Sequence, residues 1–439
     1  MSNRVSRRDF LRTTGLASTG LALGVGCGSD SSSTAPSDLS VPPDRGETAP
    51  ETFTVVALPD TQNYADQYPE IYDAQTQWIV DNRDKERIVF VTHLGDIVDN
   101  GPSVRQWKNA RKAMDLLDAA NIPYGTCLGN HDFQYSDSEF QYPADVSNSC
   151  SAFTDIDCDA KHYVDAFGPK RFAGKSWFGG ASPSGQSNYQ RISAGGIELL
   201  FLHLAADPRA AELAWGQQVL DKHPDAAVHL STHRYMYDLR MTTKHPYPLS
   251  QLRGGRYSDL LYTFDQDPYY NDATKAEDLF QKLVKPRSNI FMVQCGHFDG
   301  ELRVTSENAA KQTVHEILVD YQSFSPKGGD GWMRLLRFDV ARGEIKVSSY
   351  SPTLKRYRKN GDGYDESLQA LRQGIATLEG QFGQVFDTDA MKKQIDYWEK
   401  DPAGRKEGFE ALYGDGRRDS EFTLDVDFSP FAKGRAGSG

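Results

Sequence analysis

Short apolar runs alternate with amphipathic stretches along the first third of the chain. Residues 53–58, 88–91 and 124–128 are apolar runs of strand length, and uninterrupted runs of this kind are typical of strands buried on both faces. Between them, apolar residues recur at helical spacing, at about 71–83 and 107–117. This order of elements predicts helices packed on a largely parallel sheet.

The middle of the chain adds a hairpin, a helix and two more buried strands. The predicted elements are the hairpin at 188–204, the helix at about 209–222, and the strands at 227–231 and 290–294. The stretches from 132 to about 187 and from 234 to 270 are rich in aromatic residues and lack either period. We interpret these two predicted loops as walls of an active site rather than plain surface cover, because structureless loops of this length are uncommon in compact domains.

Beyond residue 300, apolar and polar residues alternate with period two, which is typical of half-buried strands. The alternating stretches are 302–304, 314–319, 333–340 and 345–350. They predict an antiparallel sheet stacked on the first one, and hence an α/β fold: a two-sheet β-sandwich flanked by helices. Residues 365–413 then show two helix patterns before alternation returns at 421–428. This indicates a C-terminal helical insertion between two strands of one sheet.

The first residues predict an export signal rather than a folded element. Arg7-Arg8 stands in the stretch SRRDFLR, which resembles the bacterial twin-arginine signal. An imperfect lipoprotein box ends at Cys27, and it leaves both lipidation and ordinary cleavage open. We expect 1–27 to be the signal and 28–52, rich in Ser, Pro and Asp, to be a flexible linker. The protein would then be periplasmic or displayed at the cell surface.

Composition and charge narrow the choice of partners. The 439 residues include 49 Lys and Arg against 61 Asp and Glu, so nothing indicates a nucleic-acid or anionic-membrane surface. No apolar run after the N-terminus approaches the length of a membrane span. We therefore expect membrane contact only through a lipid on Cys27. The oligomeric state is left open.

The remaining four cysteines fall into two pairs. Cys150 and Cys158 lie close together in a polar stretch, where an oxidising compartment would favour a disulfide. Cys127 and Cys295 lie in strand-like runs, and we expect them to be buried thiols.

Residue types that bind metals stand at the C-terminal ends of five predicted strands, where open α/β sheets keep their ligand sites. The motifs are Asp60-Thr61-Gln62, Gly95-Asp96 with Asp99, Gly129-Asn130-His131-Asp132, Thr232-His233 and Gly296-His297-Phe298-Asp299. Any one of these motifs alone could equally be a turn or a hydrogen-bonded core histidine instead of a metal ligand. Five together indicate a metal centre, because a two-metal phosphoryl-transfer site needs a bridging carboxylate and separate oxygen and nitrogen ligands.

In this order the motifs resemble those of the calcineurin-like metallophosphoesterase superfamily, over roughly residues 53–350. Gly-Asn-His-Asp after a strand is the most specific of them. The resemblance implies a four-layer αββα arrangement. We accordingly expect a metallophosphoesterase domain at 53–355, the helical insertion at 356–418, a final strand of that domain at 419–430 and a tail at 431–439.

The resemblance also implies hydrolysis of phosphate mono- or diesters by a hydroxide that bridges two divalent ions. The implied ligands are Asp96 as the bridge, Asp60 on the first ion, and Asn130, His233 and His297 on the second. His131 would hydrogen-bond the phosphate and protonate the leaving oxygen. Asp132 would hold the His131 ring in place.

Two positions depart from the family pattern. Gln62 and Asp299 stand where the family has histidine ligands of the first ion. If both bind, that ion is held only by oxygen atoms, together with Asp60 and Asp96. Such a set suits manganese, magnesium or calcium better than zinc or iron, although the second position keeps two imidazoles and leaves zinc or iron open.

Two functions follow from these residues. The first is an exported metal-dependent phosphoesterase for a small-molecule, lipid or nucleotide phosphoester. Asn130 and His131 would contact its substrate. Arg334 is a further candidate contact, because a guanidinium forks onto two phosphate oxygens, or else a surface arginine. The alternative is a cell-surface binding protein that kept the fold and one metal site. His131 favours the enzyme, whereas Gln62 and Asp299 favour the binding protein.

Overall fold

The computed structural model describes residues 51–133, 160–237, 255–256, 274–298, 300–322, 325, 327–359, 392–393, 396, 400 and 420–432. Their strands are β1 (Thr52–Leu58), β2 (Ile88–His93), β3 (Tyr124–Thr126), β4 (Phe178–Ala181), β5 (Asn188–Ala194), β6 (Ile197–Leu204), β7 (Ala227–Thr232), β8 (Met236–Tyr237), β9 (Gly255–Arg256), β10 (Ile290–Cys295), β11 (Gly300–Glu307), β12 (Thr313–Asp320), β13 (Met333–Asp339), β14 (Glu344–Ser351), β15 (Arg356–Tyr357) and β16 (Glu421–Asp425).

The helices of the same ranges are α1 (Gln62–Asp66), α2 (Pro69–Asp81), α3 (Val104–Ala119), α4 (Lys161–Phe167), α5 (Ala210–Lys222) and α6 (Ala276–Leu279), which continues as a π-helical turn over Phe280–Val284. Pro69 opens α2, where its missing N–H would have no partner in any case. Ser103 caps α3 by accepting a hydrogen bond from the Gln106 N–H. The helical periodicity near residues 71 and 107 thus corresponds to α2 and α3.

The strands form two mixed sheets of seven strands each and a small pair, β8-β9. The first sheet has the order β15-β14-β13-β1-β2-β3, with β16 also paired to β14, and the second has the order β11-β12-β10-β7-β6-β5-β4. In the first sheet β1, β2 and the edge strand β3 run parallel. At the centre of the second, β6, β7, β10 and β12 run parallel.

Three apolar layers hold these elements together. Between the sheets, aromatic side chains meet face to face, as in the Phe90–Phe201 stack with ring centroids 3.8 Å apart. Helices α2 and α3 bury Ile79 and Met114 against the first sheet, and α5 buries Leu220 against the second. The predicted α/β sandwich with helices on both outer faces is confirmed.

The predicted division between a parallel and an antiparallel sheet is wrong. Strands β11 and β12 join the second sheet, where β12 lies parallel to β10. Strands β13 and β14 join the first sheet, where β13 pairs antiparallel to β1. Period-two alternation reports which face of a strand is buried, and it carries no information about the neighbouring strand.

Two further differences concern connections. The stretch at 132–187, predicted as a loop, contains α4 and β4, and α6 was also missed. Strands β14 and β16 pair with each other, so the chain leaves and re-enters the first sheet around the predicted helical insertion. The predictions that lie wholly or mostly outside the described residues are the signal at 1–27, the linker at 28–52, the loop at 234–270, the insertion at 356–418, the tail at 431–439, and Cys27, Cys150 and Cys158. Among the described helices, none is long and apolar enough to cross a membrane.

Candidate metal centre

The predicted ligand residues meet at one edge of the two sheets. Asp60, Asp96 and Asn130 follow the parallel strands β1, β2 and β3, and His233 and His297 follow the parallel neighbours β7 and β10. The carboxyl ends of parallel neighbours lie at the same edge of a sheet. The two sheets therefore present oxygen ligands on one side and imidazoles on the other.

Three side chains converge on the imidazole of His233. Its Nδ1–H donates to the carbonyl of Leu94 at 2.8 Å, so Nε2 is the nitrogen that faces the centre. This Nε2 lies 3.1 Å from Oδ1 of Asp96, 3.2 Å from Oδ1 of Asn130 and 3.2 Å from Nδ1 of His297. The ligand atoms of Asp96, His233 and His297 all lie within 4.8 Å of one another. Oxygen and nitrogen lone pairs that converge in this way suit a bound cation.

Asp60 extends the centre toward β1. Its Oδ2 accepts the backbone N–H of His297 at 3.0 Å, and its Oδ1 lies 4.0 Å from Nδ1 of His233. The residue is 2% exposed. This buried carboxylate beside His233 and His297 adds an oxygen donor of the kind that binds divalent metal ions.

Glycines before three of the ligands leave room for the ligand side chains. A Cβ on Gly129 would lie 2.1 Å from the Asp96 nitrogen, and one on Gly296 would lie 2.1 Å from Oδ1 of Asp60. A Cβ on Gly95 would lie 2.6 Å from Nδ1 of His233. The glycine in each motif therefore reflects close approach of strand ends from both sheets.

The surroundings of Asp96 favour its anionic form. Burial alone would raise the pKa of this carboxyl, but its electrostatic interactions with His233 and His131, together with the hydrogen bond from the His131 backbone N–H, lower the pKa to about 2. Asp96 lies at φ 46°, directly after Gly95 at φ 99°. This tight turn carries the carboxylate from the end of β2 to the centre of the ligand set.

His131 lies beside Asp96 with one ring nitrogen engaged. Its backbone N–H donates to Oδ1 of Asp96 at 2.9 Å, and its Nδ1–H donates to the carbonyl of Asp99 at 2.8 Å. The Asp99 carboxylate lies 3.7 Å from the same nitrogen. The side chain is 34% exposed, so Nε2 is the nitrogen available to a substrate.

The prediction that Asp132 holds the His131 ring is wrong. Asp132 accepts the backbone N–H of Val98 at 3.0 Å and that of Gly129 at 2.8 Å. Burial, reinforced by the charge of Asp96, raises its pKa well above the usual range. Asp132 thus ties together the two loops after β2 and β3, and Asp99 orients the ring instead.

Arg334 was predicted to contact substrate, and this is also wrong. The side chain is fully buried, and its Nη2 donates to Oε1 of Glu301 at 2.8 Å. Arg358 donates to the other Glu301 oxygen at 3.3 Å. The guanidinium of Arg334 is therefore engaged in a buried ion pair between the sheets.

Gln62 is buried, and only one of its two polar amide atoms has a hydrogen-bond partner among the described residues. Its Nε2 donates to Oε1 of Gln322, whereas its Oε1 has no hydrogen-bond partner among the residues that the structure describes. Asp299, the other departure from the family pattern, lies outside the described residues. The buried thiols predicted for Cys127 and Cys295 are confirmed.

Three residues near the centre escaped the sequence prediction. Asp99 closes the Gly-Asp-x-x-Asp motif, whose pattern indicates no role for it. Gln322 and Asp320 come from the end of β12, and Gln322 is 260 positions from its partner Gln62. No local pattern reports a contact of that range.

Comparison with known proteins gives a family match and one related sequence. Residues 53–297 match the family model of the calcineurin-like phosphoesterases. The uncharacterized protein YvnB of Bacillus subtilis (strain 168) is 34% identical over 313 residues, which cover 70% of this chain and 20% of that protein. The chain thus spans about a fifth of the length of this relative.

Solved structures with similar folds were also found. Purple acid phosphatase PPD1 from yellow lupin (Lupinus luteus) is 13% identical with a TM-score of 0.41, covering 70% of this chain and 53% of that one. A dimetal phosphatase from Danio rerio is 12% identical with a TM-score of 0.38, covering 68% of this chain and 96% of that one.

Proposed function

Because the chain belongs to the calcineurin-like phosphoesterase family, we propose that it is a metal-dependent hydrolase of phosphate mono- or diesters. The observation that carries the proposal is the convergence of Asp96, Asn130, His233 and His297 next to the half-exposed ring of His131. The substrate would be a small-molecule, lipid or nucleotide phosphoester, whose anionic phosphate suits such a centre.

The residues have separable roles. Asp60 and Gln62, with Asp96 shared, would hold a first divalent ion, and Asn130, His233 and His297 a second. When bound, these ions supply Lewis-acid activation of water and of the phosphoryl oxygens. Asp96 is anionic at any working pH, because its pKa is about 2. We propose manganese, magnesium or calcium at the first position, since an amide and carboxylates are hard oxygen donors.

His131 would act as the general acid. Its Nδ1–H is held by the Asp99 carbonyl, so a protonated ring can transfer only the proton on Nε2 to the leaving oxygen. The hydrogen bond between its backbone N–H and Asp96 keeps the ring next to the metal ligands.

A screen of phosphate mono- and diesters with added manganese, magnesium, calcium or zinc tests the proposal. We expect turnover in the wild type and its loss, with lower metal content, in Asp96→Asn. His315→Asn is the matched control, because His315 is a buried histidine at the start of β12, where its Nε2 lies 2.9 Å from the Asp425 carbonyl. Full turnover in Asp96→Asn would contradict the proposal. Metal binding without turnover of any ester would favour the alternative, a binding protein that kept the fold.

We also propose export through residues 1–27, with Cys27 as the lipid attachment site if the signal is processed as a lipoprotein. Substituting Lys for both Arg7 and Arg8 should retain the protein in the cytoplasm of a host with twin-arginine export, whereas Arg4→Lys should not. Unchanged fractionation of the double variant would contradict this route.

A further inference from the structure

We infer that a relay of three side chains, Asp320–Gln322–Gln62, fixes Gln62 as an oxygen donor at the first metal position and thereby makes that position selective for hard cations. The inference deepens the proposed function and rests on it. It concerns two residues, Asp320 and Gln322, that no sequence motif indicates.

The direction of the relay follows from the carboxylate at its end. An ionised carboxylate only accepts hydrogen bonds. Asp320 accepts the backbone N–H of Gln322 at 2.8 Å on Oδ1 and its side-chain Nε2 at 2.9 Å on Oδ2. The NH₂ group of Gln322 is thereby committed to Asp320, and its Oε1 must point the other way.

The orientation of the Gln62 amide follows from that of Gln322. The Oε1 of Gln322 can only accept, so Gln62 must present its NH₂ group to it, as the structure shows. The two ends of a glutamine amide have nearly the same shape, and an isolated amide could face either way. In this relay both orientations are set by one carboxylate, and the oxygen of Gln62 is left on the far side.

We take a cation as the partner of that oxygen, because the atom is buried and its motif also carries Asp60. Gln62 is 5% exposed and lies two residues after Asp60, and its Oε1 has no hydrogen-bond partner in the described part of the chain. A buried acceptor without a partner is unfavourable. Asn63 donates to the Gln322 carbonyl at 3.3 Å, which holds the start of α1 against the end of β12. With its amide fixed in this way, Gln62 can offer a cation only its neutral oxygen.

Selectivity follows from the kind of donor. Carboxylate and amide oxygens favour magnesium, manganese and calcium, whereas imidazole nitrogens favour zinc and other softer metals. Asp60 and Gln62 provide oxygen at one position, and His233 and His297 provide nitrogen at the other. The relay would therefore keep the two positions chemically different.

Direct titration of metal-free, full-length protein with manganese and with zinc tests the relay without any substrate. Asp320→Asn is the most informative variant. Asparagine has nearly the same shape as aspartate but can donate as well as accept, so it no longer fixes the orientation of the Gln322 amide. We expect it to weaken manganese binding at the first position by about 10- to 100-fold, the usual effect of losing an outer partner of a ligand. Zinc binding should fall less.

Gln322→Met provides a second variant in case Asp320→Asn destabilises the fold, and thermal unfolding of each variant reports on folding. The matched control is Gln75→Met. Gln75 is also a fully buried glutamine whose Nε2 donates to a carbonyl, that of Trp332 at 3.1 Å, and whose Oε1 has no partner among the described residues. It lies on α2 and has no carboxylate behind it, so its replacement should leave both metal affinities unchanged.

The outcomes distinguish failure of the relay inference from failure of the proposed phosphoesterase activity. Unchanged affinities in both relay variants, or an equal loss for manganese and zinc, would overturn the inference even if the wild type hydrolyses phosphoesters. A selective loss of manganese binding in a protein that turns over no ester would support the relay and contradict the proposed function.

Discussion

At the scale of single residues, two buried aspartates of the centre have opposite electrostatic surroundings. Histidine neighbours lower the pKa of Asp96, whereas burial and the charge of Asp96 itself raise that of Asp132. Like charges close together in a buried site cannot both ionise easily. The lowered pKa of Asp96 favours the anion that binds cations, whereas the backbone N–H groups that Asp132 accepts only partly offset the rise in its own pKa.

We expect Asp132→Asn to destabilise the two loops that carry the centre. Both oxygens of Asp132 accept backbone N–H groups, from Val98 and Gly129. An asparagine must turn its NH₂ toward one of them, and a buried donor left without an acceptor costs about 1–3 kcal/mol. Chemical denaturation of metal-free protein measures this loss. A variant as stable as the wild type would contradict the structural role. Asp165→Asn on α4 is a suitable control, because its carboxylate is exposed and pairs with the exposed Lys161.

His131→Ala should keep its metals and slow turnover by about 10²–10⁴-fold, the usual contribution of a positioned proton donor. The loss should be smallest with nitrophenyl esters, because nitrophenolate leaves with little need of a proton. Metal content measured beside rates for good and poor leaving groups checks both parts. Equal losses for all leaving groups would argue against His131 as the acid.

The sequence predicted most of the ligand residues, and its errors have a common cause. Asp60, Asp96, Asn130, His233 and His297 were identifiable because each follows a strand, and parallel strands bring their carboxyl ends together. Asp132 follows His131 and could orient its ring, and the guanidinium of Arg334 could contact a phosphate. Their actual roles depend on the residues with which they pair. The partner of Arg334, Glu301, lies 33 positions away on another sheet.

At the scale of elements, strands buried on both faces were the easiest to predict, and the arrangement of strands the hardest. Apolar runs indicated β1, β2, β7 and β10 within two or three residues. The order within each sheet depends on packing between strands far apart in sequence, as in the pairing of β13 with β1. Period and composition do not encode such long-range choices.

Buried histidines on these strands make stability depend on pH. Burial lowers the pKa of His229 on β7 to about 4, against about 6.5 in an unfolded chain. Between these values the unfolded state binds a proton that the folded state does not, so unfolding becomes easier as the pH falls from 6.5 to 4. Full stability is present above pH 6.5.

His229→Phe should therefore flatten the loss of stability on acidification. The ring of His229 already packs against Phe201 at 5.5 Å and Phe291 at 6.3 Å, so a phenyl ring suits the site. We expect the wild type to lose of the order of 3 kcal/mol more than the variant between pH 7 and pH 4. Denaturant unfolding at several pH values measures the two slopes, and equal slopes would contradict the prediction.

At the scale of the whole molecule, one buried carboxylate connects the two sheets. Glu301 on β11 of the second sheet pairs with Arg334 on β13 of the first, and also with Arg358. Burial would raise the pKa of Glu301, but the two guanidinium groups lower it to about 2. Ser420 donates to the same Glu301 oxygen as Arg358. The two ends of the chain segment between β15 and β16 therefore meet on one side chain.

Because both ends of the segment between β15 and β16 contact Glu301, we expect that the segment can be removed. Replacing residues 361–418 with a short Gly-Ser linker keeps Arg358, Ser420 and Glu301, and shortening a connection whose ends already meet changes the closure entropy only slightly. We expect the shortened protein to unfold cooperatively and to bind metal as the full chain does. Thermal unfolding and metal titration of both proteins check this, and a panel of esters shows whether the segment affects substrate preference. Glu301→Gln should destabilise the shortened protein strongly, by about 3–5 kcal/mol, because it removes the carboxylate that pairs with the buried guanidinium groups of Arg334 and Arg358. A shortened protein that fails to fold while the full chain tolerates Glu301→Gln would show that the segment, and not the carboxylate, holds this end of the sandwich together.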